Sequence, residues 1–220
     1  QVLIPSIDRI QALANLYADQ IVRAIHSLIE HITEQYHATS VFEWLAFLFG
    51  IAQVVLALKN NAINFYAGII SVIFYIYVFY TAGLFAESLL NVYYLIISVA
   101  GIFLWQARTP LPITRNSTRD WFYCLAIATI SWGLLYLVLK KYTSSTVPLL
   151  DSLVSALAWS GTWLLMKRKL ENWLILNISN AIAIPLLFIK NLELTALLTI
   201  IYFVMAILGF LQWKKNMASA

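Results

Sequence analysis

From residue 41 onward the chain alternates between long apolar runs and short polar breaks. Seven runs fall at about 42–58, 63–80, 86–106, 121–139, 148–166, 172–190 and 193–213. Each is near the ~20 residues that a helix needs to cross the hydrocarbon core of a bilayer. The breaks are polar or contain proline: Lys59-Asn60-Asn61, Thr81-Ala82-Gly83, Arg108 to Arg119, Lys140-Lys141, Lys167-Arg168-Lys169 and Lys190-Asn191. Residues 1–40 follow another pattern. Ile10, Leu13, Tyr17, Ile21, Ala24, Ile25, Leu28 and Ile32 recur at steps of three and four, while Arg9, Asp19, Gln20, Arg23, Glu30 and Glu34 fall mostly elsewhere. That periodicity predicts an amphipathic helix too charged to span, one that lies on the membrane surface or packs on the bundle.

Composition agrees and removes the soluble alternative. Of 220 residues, 62% are hydrophobic and 11% charged, and mean hydropathy is +0.81. Soluble domains carry about a quarter charged residues and cannot hide this much apolar surface. The net charge of +4 comes from short basic clusters between apolar runs, so it marks topology rather than a nucleic-acid partner. Cys124, the only cysteine, sits inside a span and reads as a small buried apolar residue; it excludes a disulfide within the chain. His26, His31 and His37 read as solvated surface histidines, and neither a metal site nor a cofactor is expected. No secretory signal pattern is visible, and a start at Gln1 rather than Met leaves a natural start upstream open.

Seven spans put the termini on opposite faces. One face collects Lys59, Arg108, Arg115, Arg119, Lys167, Arg168, Lys169, Lys214 and Lys215; the other holds Lys140, Lys141 and Lys190, with Arg9 and Arg23 on the amphipathic helix. The positive-inside rule makes the first face cytoplasmic, with the N-terminus outside and the C-terminus inside. The sequon Asn116-Ser117-Thr118 then falls on the cytoplasmic side, where it has no glycosylation meaning.

Sliding the chain on itself by 108 residues, without gaps, lays the first three spans on the last three. Lys59 meets Lys167, Asn64 meets Asn172, Ser71 meets Ser179, Tyr94 meets Tyr202, Gly101 meets Gly209 and Trp105 meets Trp213. Two three-helix units in the same membrane orientation need an odd number of spans between them, and the fourth span supplies it. The predicted fold is therefore all-α and membrane-integral: seven helices in a 3+1+3 parallel-repeat, SWEET-like arrangement, preceded by the amphipathic helix. The expected divisions are 1–40, 41–107 for the first repeat, 108–147 for the linker with the fourth span, and 148–216 for the second repeat. Parallel repeats of this kind enclose a substrate path where they meet.

The spans carry few polar groups, which makes those present informative. Trp173, Asn177, Asn180 and Ile184 share one helical face. An amide at mid-membrane must face protein or a water-lined cavity. Asn91, Tyr94 and Ser98 form a second such face, and Tyr202 is the repeat partner of Tyr94. Gln53 and Trp159 complete the candidates. A cavity of Trp, Tyr and Asn suits a flat heterocycle, and a ring cation gains from the aromatic faces. Every Asp and Glu of the membrane region lies outside the spans or near their ends: Glu43, Glu87, Asp120, Asp151, Glu171 and Glu193. Coupled pumps place ionisable groups within the membrane, and no Walker-type phosphate loop is present, so an uncoupled facilitator working by alternating access is expected. Glu43 and Asp151, repeat partners, are expected to cap their helices. An intramembrane enzyme would need a catalytic constellation, yet the membrane region has no His, one Cys and no paired mid-span carboxylates. A non-transporting binding or scaffold subunit remains the alternative of another class.

The stretch Leu165-Met166-Lys167-Arg168-Lys169-Leu170-Glu171-Asn172-Trp173 resembles the PnuC family of bacterial nicotinamide riboside transporters. Asp151-Ser152, Asn61 to Phe74, and Leu89-Leu90-Asn91-Val92 through Gly101-Ile102-Phe103-Leu104-Trp105 are similar to its fifth, second and third spans. The family's signature, Trp-x-x-Trp-x-x-x-Asn/Asp, is met by Trp173 and Asn180, but Leu176 stands where the second Trp belongs. The third-span Gly-Trp-Tyr-x-Trp is likewise thinned to Gly101 through Trp105. The resemblance implies a vitamin transporter of the bacterial inner membrane, whose substrate is trapped inside by a separate cytoplasmic kinase, with a homo-oligomer possible. Because of the departures, thiamine, carried by the branch called PnuT, is the expected substrate and nicotinamide riboside the alternative.

Overall fold

A computed structural model describes residues 7–82, 85–106, 111–143 and 145–218. Gly83 and Arg108 lie outside the described residues, as do the side chains of Arg9, Ile10 and Glu87. Eight helices follow in order: α1 (Ile7–Ala38), α2 (Val41–Leu58), α3 (Asn64–Thr81), α4 (Phe85–Trp105), α5 (Thr118–Tyr142), α6 (Pro148–Met166), α7 (Asn172–Ile189) and α8 (Glu193–Ala218). Seven of them, α2 to α8, are long and apolar enough to cross a membrane. The seven expected spans are therefore all present. Among the described residues the only strand-like feature is one isolated parallel bridge, Thr114 to Lys169.

The edges differ at α8, which ends five residues past its apolar run, and at both ends of α5, which starts three residues before its run and ends three after it. Polar chemistry extends it. Ser117 Oγ accepts from the Asp120 N–H while the Asp120 carboxylate accepts from the Ser117 N–H at 2.8 Å, a capping box. At the other end Lys140 and Lys141 lie in the last turn, where cations complement the helix dipole. The sequon residues thus have structural work: Ser117 caps α5, and the Asn116 N–H donates to Glu171 at 2.8 Å. Glu43 closes a second capping box with Ser40 at the start of α2, as expected. Its repeat partner Asp151 instead pairs with Lys190 and Ser145.

The 108-residue repeat is written into the hydrogen bonds. Each α-hairpin of a repeat turns on a left-handed residue, Asn60 (φ 55°) after α2 and Arg168 (φ 53°) after α6. In each, the next N–H reaches back to close the helix, Asn61 to Leu56 O at 2.9 Å and Lys169 to Leu164 O at 3.0 Å. The amides of Asn64 and Asn172 then donate to Asn61 O and Lys169 O at 2.7 and 2.6 Å. Deeper in the bundle, Ser71 Oγ donates to Ala46 O at 2.7 Å and Ser179 Oγ to Val154 O at 2.8 Å. All of these pairs stand 108 residues apart. Small residues let the third helix of each repeat approach an aromatic ring: a Cβ on Gly101 would lie 2.3 Å from Phe65, and one on Gly209 would lie 2.7 Å from Trp173.

The repeats meet along two seams, α2 against α8 and α4 against α6, while α5 packs mainly along α6. At each seam a tryptophan donates across the boundary. Trp105 Nε1 bonds Met166 O, and Trp213 Nε1 bonds Ala57 O, both at 3.0 Å. One asymmetry stands out: the 111–117 segment is strapped over the second hairpin. Arg168 donates to Leu111 O at 2.6 Å, Thr114 exchanges backbone bonds with Arg168 and Leu170, and Lys169 pairs with Asp120 at 2.8 Å. These contacts offset the cost of a left-handed arginine. Burial lowers the Arg168 pKa from its usual value, but a guanidinium keeps its charge.

The amphipathic α1 is held at its C-terminal end. Gln35 donates to Asn191 O at 2.9 Å and to Glu193 at 2.5 Å, accepts from the Leu194 N–H at 3.0 Å, and His31 lies 3.2 Å from Glu193. Earlier on the same helix Leu13, Tyr17, Ile21 and Ile25 stay exposed.

Two glycines separate packing from propensity. Gly101→Ala drives a methyl into Phe65 and is expected to cost about 1–3 kcal/mol. Gly133→Ala, with nothing within 4 Å of the added atom, is expected to be neutral or better. Thermal denaturation in detergent reads both; equal effects would contradict the packing described.

Candidate functional site

Between the two repeats lies a cavity of about 250 Å³, enclosed by α2, α3 and α4 on one side and α6, α7 and α8 on the other. Much of its wall comes in repeat pairs: Phe65 with Trp173, Tyr94 with Tyr202, Val72 with Asn180, and Val54 with Thr162. Its floor, beside the basic hairpin turns, is a lattice of rings. Phe65 meets Trp105 edge-on at 5.0 Å and 88°, and Trp173 meets Trp213 edge-on at 5.6 Å and 90°. Trp105 and Trp213 join the halves at 5.9 Å. Edge-on ring pairs contribute about 0.5–1.5 kcal/mol each beyond area burial. The Arg168 guanidinium lies over Trp105, 4.2 Å from its centroid, adding a cation–π contact at the strapped hairpin.

Several polar groups of the wall have nothing of the protein to bond. Trp173 is 2% exposed and lines the cavity, yet its indole N–H has no hydrogen-bond partner. The side-chain amides of Gln53 and Asn180, also in the wall, have no partner among the described residues. The Trp173 N–H is the buried one of these, and an unpaired buried donor costs stability, whereas the Gln53 and Asn180 amides are half-buried and open to the cavity. Among the described residues that line it, none is Asp, Glu, Lys, Arg or His. The wall can stack on a flat ring, accept and donate through amides, and favour a delocalised cation without fixing a charge of its own.

Six of the eight expected site residues come together here: Trp173, Asn180, Asn91, Tyr94, Tyr202 and Gln53. Asn177 and Trp159 do not line the cavity. The α7 face turned to the cavity runs Trp173, Leu176, Asn180, at steps of three and four, so Asn177 falls on the opposite flank with its Oδ1 buried and unpaired. Trp159 is spent on the α4–α6 seam, stacked on Tyr93 at 4.2 Å and 15°, with the Tyr93 hydroxyl donating to its carbonyl at 2.8 Å. Residues of the wall outside the expected set include Phe65, Tyr75, Thr162 and Leu176. The repeat offset points to Phe65, as the partner of Trp173; Tyr75 has no such signal.

Two three-helix units closing on an aromatic cavity have the architecture of a membrane carrier. A family profile described as nicotinamide mononucleotide transporter matches residues 40–215. The chain belongs to that family, and it is a transporter rather than an enzyme. Among curated relatives, the nicotinamide riboside transporter PnuC of Neisseria mucosa is 26% identical over 182 residues, covering 76% of this chain and 69% of the relative. The crystal structure of the vitamin B3 transporter PnuC superposes with a TM-score of 0.67 at 23% identity, over 87% of this chain and 90% of that one. The seven-helix fold is the shared feature.

Replacing the unpaired amide tests whether it is held for function. Asn180→Leu is expected to leave stability unchanged or raise it by up to roughly 1 kcal/mol, since the half-buried amide has no partner among the described residues to lose. A fall in the denaturation temperature would mean that the amide is structural.

Proposed function

We propose that this protein is an uncoupled facilitator that takes up nicotinamide riboside across the bacterial inner membrane. The observation that carries the reading is the chemistry of the cavity: aromatic rings and amides, with no charged side chain among the described residues of the wall. The riboside's pyridinium is a flat cation suited to Trp173, Phe65 and the tyrosines, and its carboxamide and hydroxyls match Asn180, Asn91 and Gln53. The family description names the mononucleotide, but a phosphate would bring a dianion against a wall whose described residues offer no cation, at a large desolvation cost. The nucleoside fits; the nucleotide does not.

Thiamine, the expectation drawn from Leu176, has no support among the relatives. Leu176 has a local explanation instead. It fills the space over Gly161, where an added Cβ would lie 2.8 Å from the leucine side chain. Its departure from the signature is thus part of a packing pair and needs no second substrate.

The spans hold no ionisable residue away from their ends, which supports transport without ion coupling. Net uptake then depends on a cytoplasmic kinase that converts the riboside to a phosphorylated form the cavity rejects. The basic end of the bundle faces the cytoplasm in this reading.

Proteoliposome uptake of labelled nicotinamide riboside tests it. Uptake is expected to saturate, to resist protonophores and sodium ionophores, and to be competed by unlabelled riboside but not by the mononucleotide. Competition by the mononucleotide at similar concentration, stronger competition by thiamine, or collapse with a dissipated proton gradient would contradict the corresponding part of the proposal.

A further inference from the structure

The cavity is made from two copies of one unit, whereas a nucleoside has two unlike ends. The wall must therefore break its own twofold symmetry to orient the ligand. Most repeat pairs change little in bulk, but one pair of pairs exchanges it. Gln53 on α2 corresponds to Gly161 on α6, and Gly68 on α3 corresponds to Leu176 on α7, each at the 108-residue offset. In the first repeat the large side chain rises from the first helix against a glycine on the second: a Cβ on Gly68 would lie 2.8 Å from the Gln53 amide. In the second repeat the large side chain comes from the second helix and the glycine from the first, again at 2.8 Å. Both hairpins stay filled. The result is an amide on one wall and an isobutyl group on the other.

The level of the amide says which end of a ligand it meets. Ala57, whose carbonyl receives the Trp213 N–H, marks the aromatic floor. Gln53 is one turn along α2 from Ala57, about 6 Å away from that floor at 1.5 Å per residue. A ring seated against Trp173 and Phe65 leaves its substituent at the height of Gln53. With no protein partner among the described residues, and seated over α3 in the space that Gly68 leaves, the Gln53 amide lines the cavity at the level of that substituent.

We infer that Gln53, positioned by Gly68, is a specificity-determining residue that reads the hydroxylated sugar end of the ligand, while Leu176 walls the opposite side. The inference rests on the nicotinamide riboside reading. It implies discrimination between a ribosylated pyridinium and the same ring carrying only a methyl group.

Calorimetric titration of the purified full chain in detergent separates the possibilities, with nicotinamide riboside and 1-methylnicotinamide as the two probes. Gln53→Met keeps length and removes the amide; it is expected to weaken riboside binding about tenfold, in line with a lost hydrogen bond at a desolvated site, and to leave 1-methylnicotinamide within about twofold. Gly68→Ala, which displaces Gln53 without altering it, is expected to shift the two ligands in the same unequal way. Equal losses for both probes, or no loss for the riboside in either variant, overturn the assignment of Gln53 to the sugar end. If the unaltered protein binds 1-methylnicotinamide or neither probe, but not the riboside, the nicotinamide riboside reading itself fails and takes this inference with it.

Discussion

Two indole N–H groups hold the halves of this bundle together, each reaching across the boundary to the end of the other repeat's first helix. Trp105 bonds Met166 O and Trp213 bonds Ala57 O, at 3.0 Å in both cases. In a bilayer the apolar faces of helices gain little from meeting one another, because lipid is equally apolar. Directional bonds and close packing must supply the register instead. Once those two donors are placed, the rings around them follow: Phe65 and Trp173 pack edge-on against their tryptophans, and Gly101 and Gly209 make the room. The cavity is the space left above this floor.

Near-symmetry and its breaches divide the labour. The repeated bonds at Asn64 and Asn172, and at Ser71 and Ser179, make each three-helix unit stiff. Departures from symmetry fall where a function needs direction. The 111–117 strap and the Arg168–Trp105 contact reinforce only the second hairpin, so the first, turning on Asn60, is the less restrained of the two. The α4–α6 seam is closed by the Trp159–Tyr93 stack, whereas Ile51 and Ile201 occupy the matching positions on the other side. Of the buried polar atoms without a partner among the described residues, Trp173 Nε1 alone lines the cavity, while those of Asn60, Asn64, Asn116, Arg168 and Asn172 lie at the hairpin turns and the strap.

The seven spans, the repeat and the amphipathic helix were all legible in the sequence, because each is a local pattern of apolar spacing or a fixed offset. The limits of α5 were not, since Ser117 and Asp120 look like loop residues to hydropathy and act as a cap in the helix. Site residues were legible to about one flank of a helix. Trp173 and Asn180 belong to the cavity, but packing rotates α7 so that Leu176, not Asn177, completes the face. Trp159 illustrates a different limit: an aromatic in a span is equally suited to a ligand and to a seam, and only the position of Tyr93 decides. The strap over the second hairpin depends on backbone bonds between distant segments, which leave no mark in composition or period.

In the proposed function, nicotinamide riboside enters the cavity between the repeats with its ring on the aromatic floor. A structure of the protein determined with the riboside bound tests this most directly. The pyridinium is expected beside Trp173 and Phe65, with the indole N–H of Trp173 donating to the ligand and the ribose at the height of Gln53 and Asn180. A ligand bound outside the two repeats, or seated with its sugar on the floor and its ring toward Asn91, would contradict it.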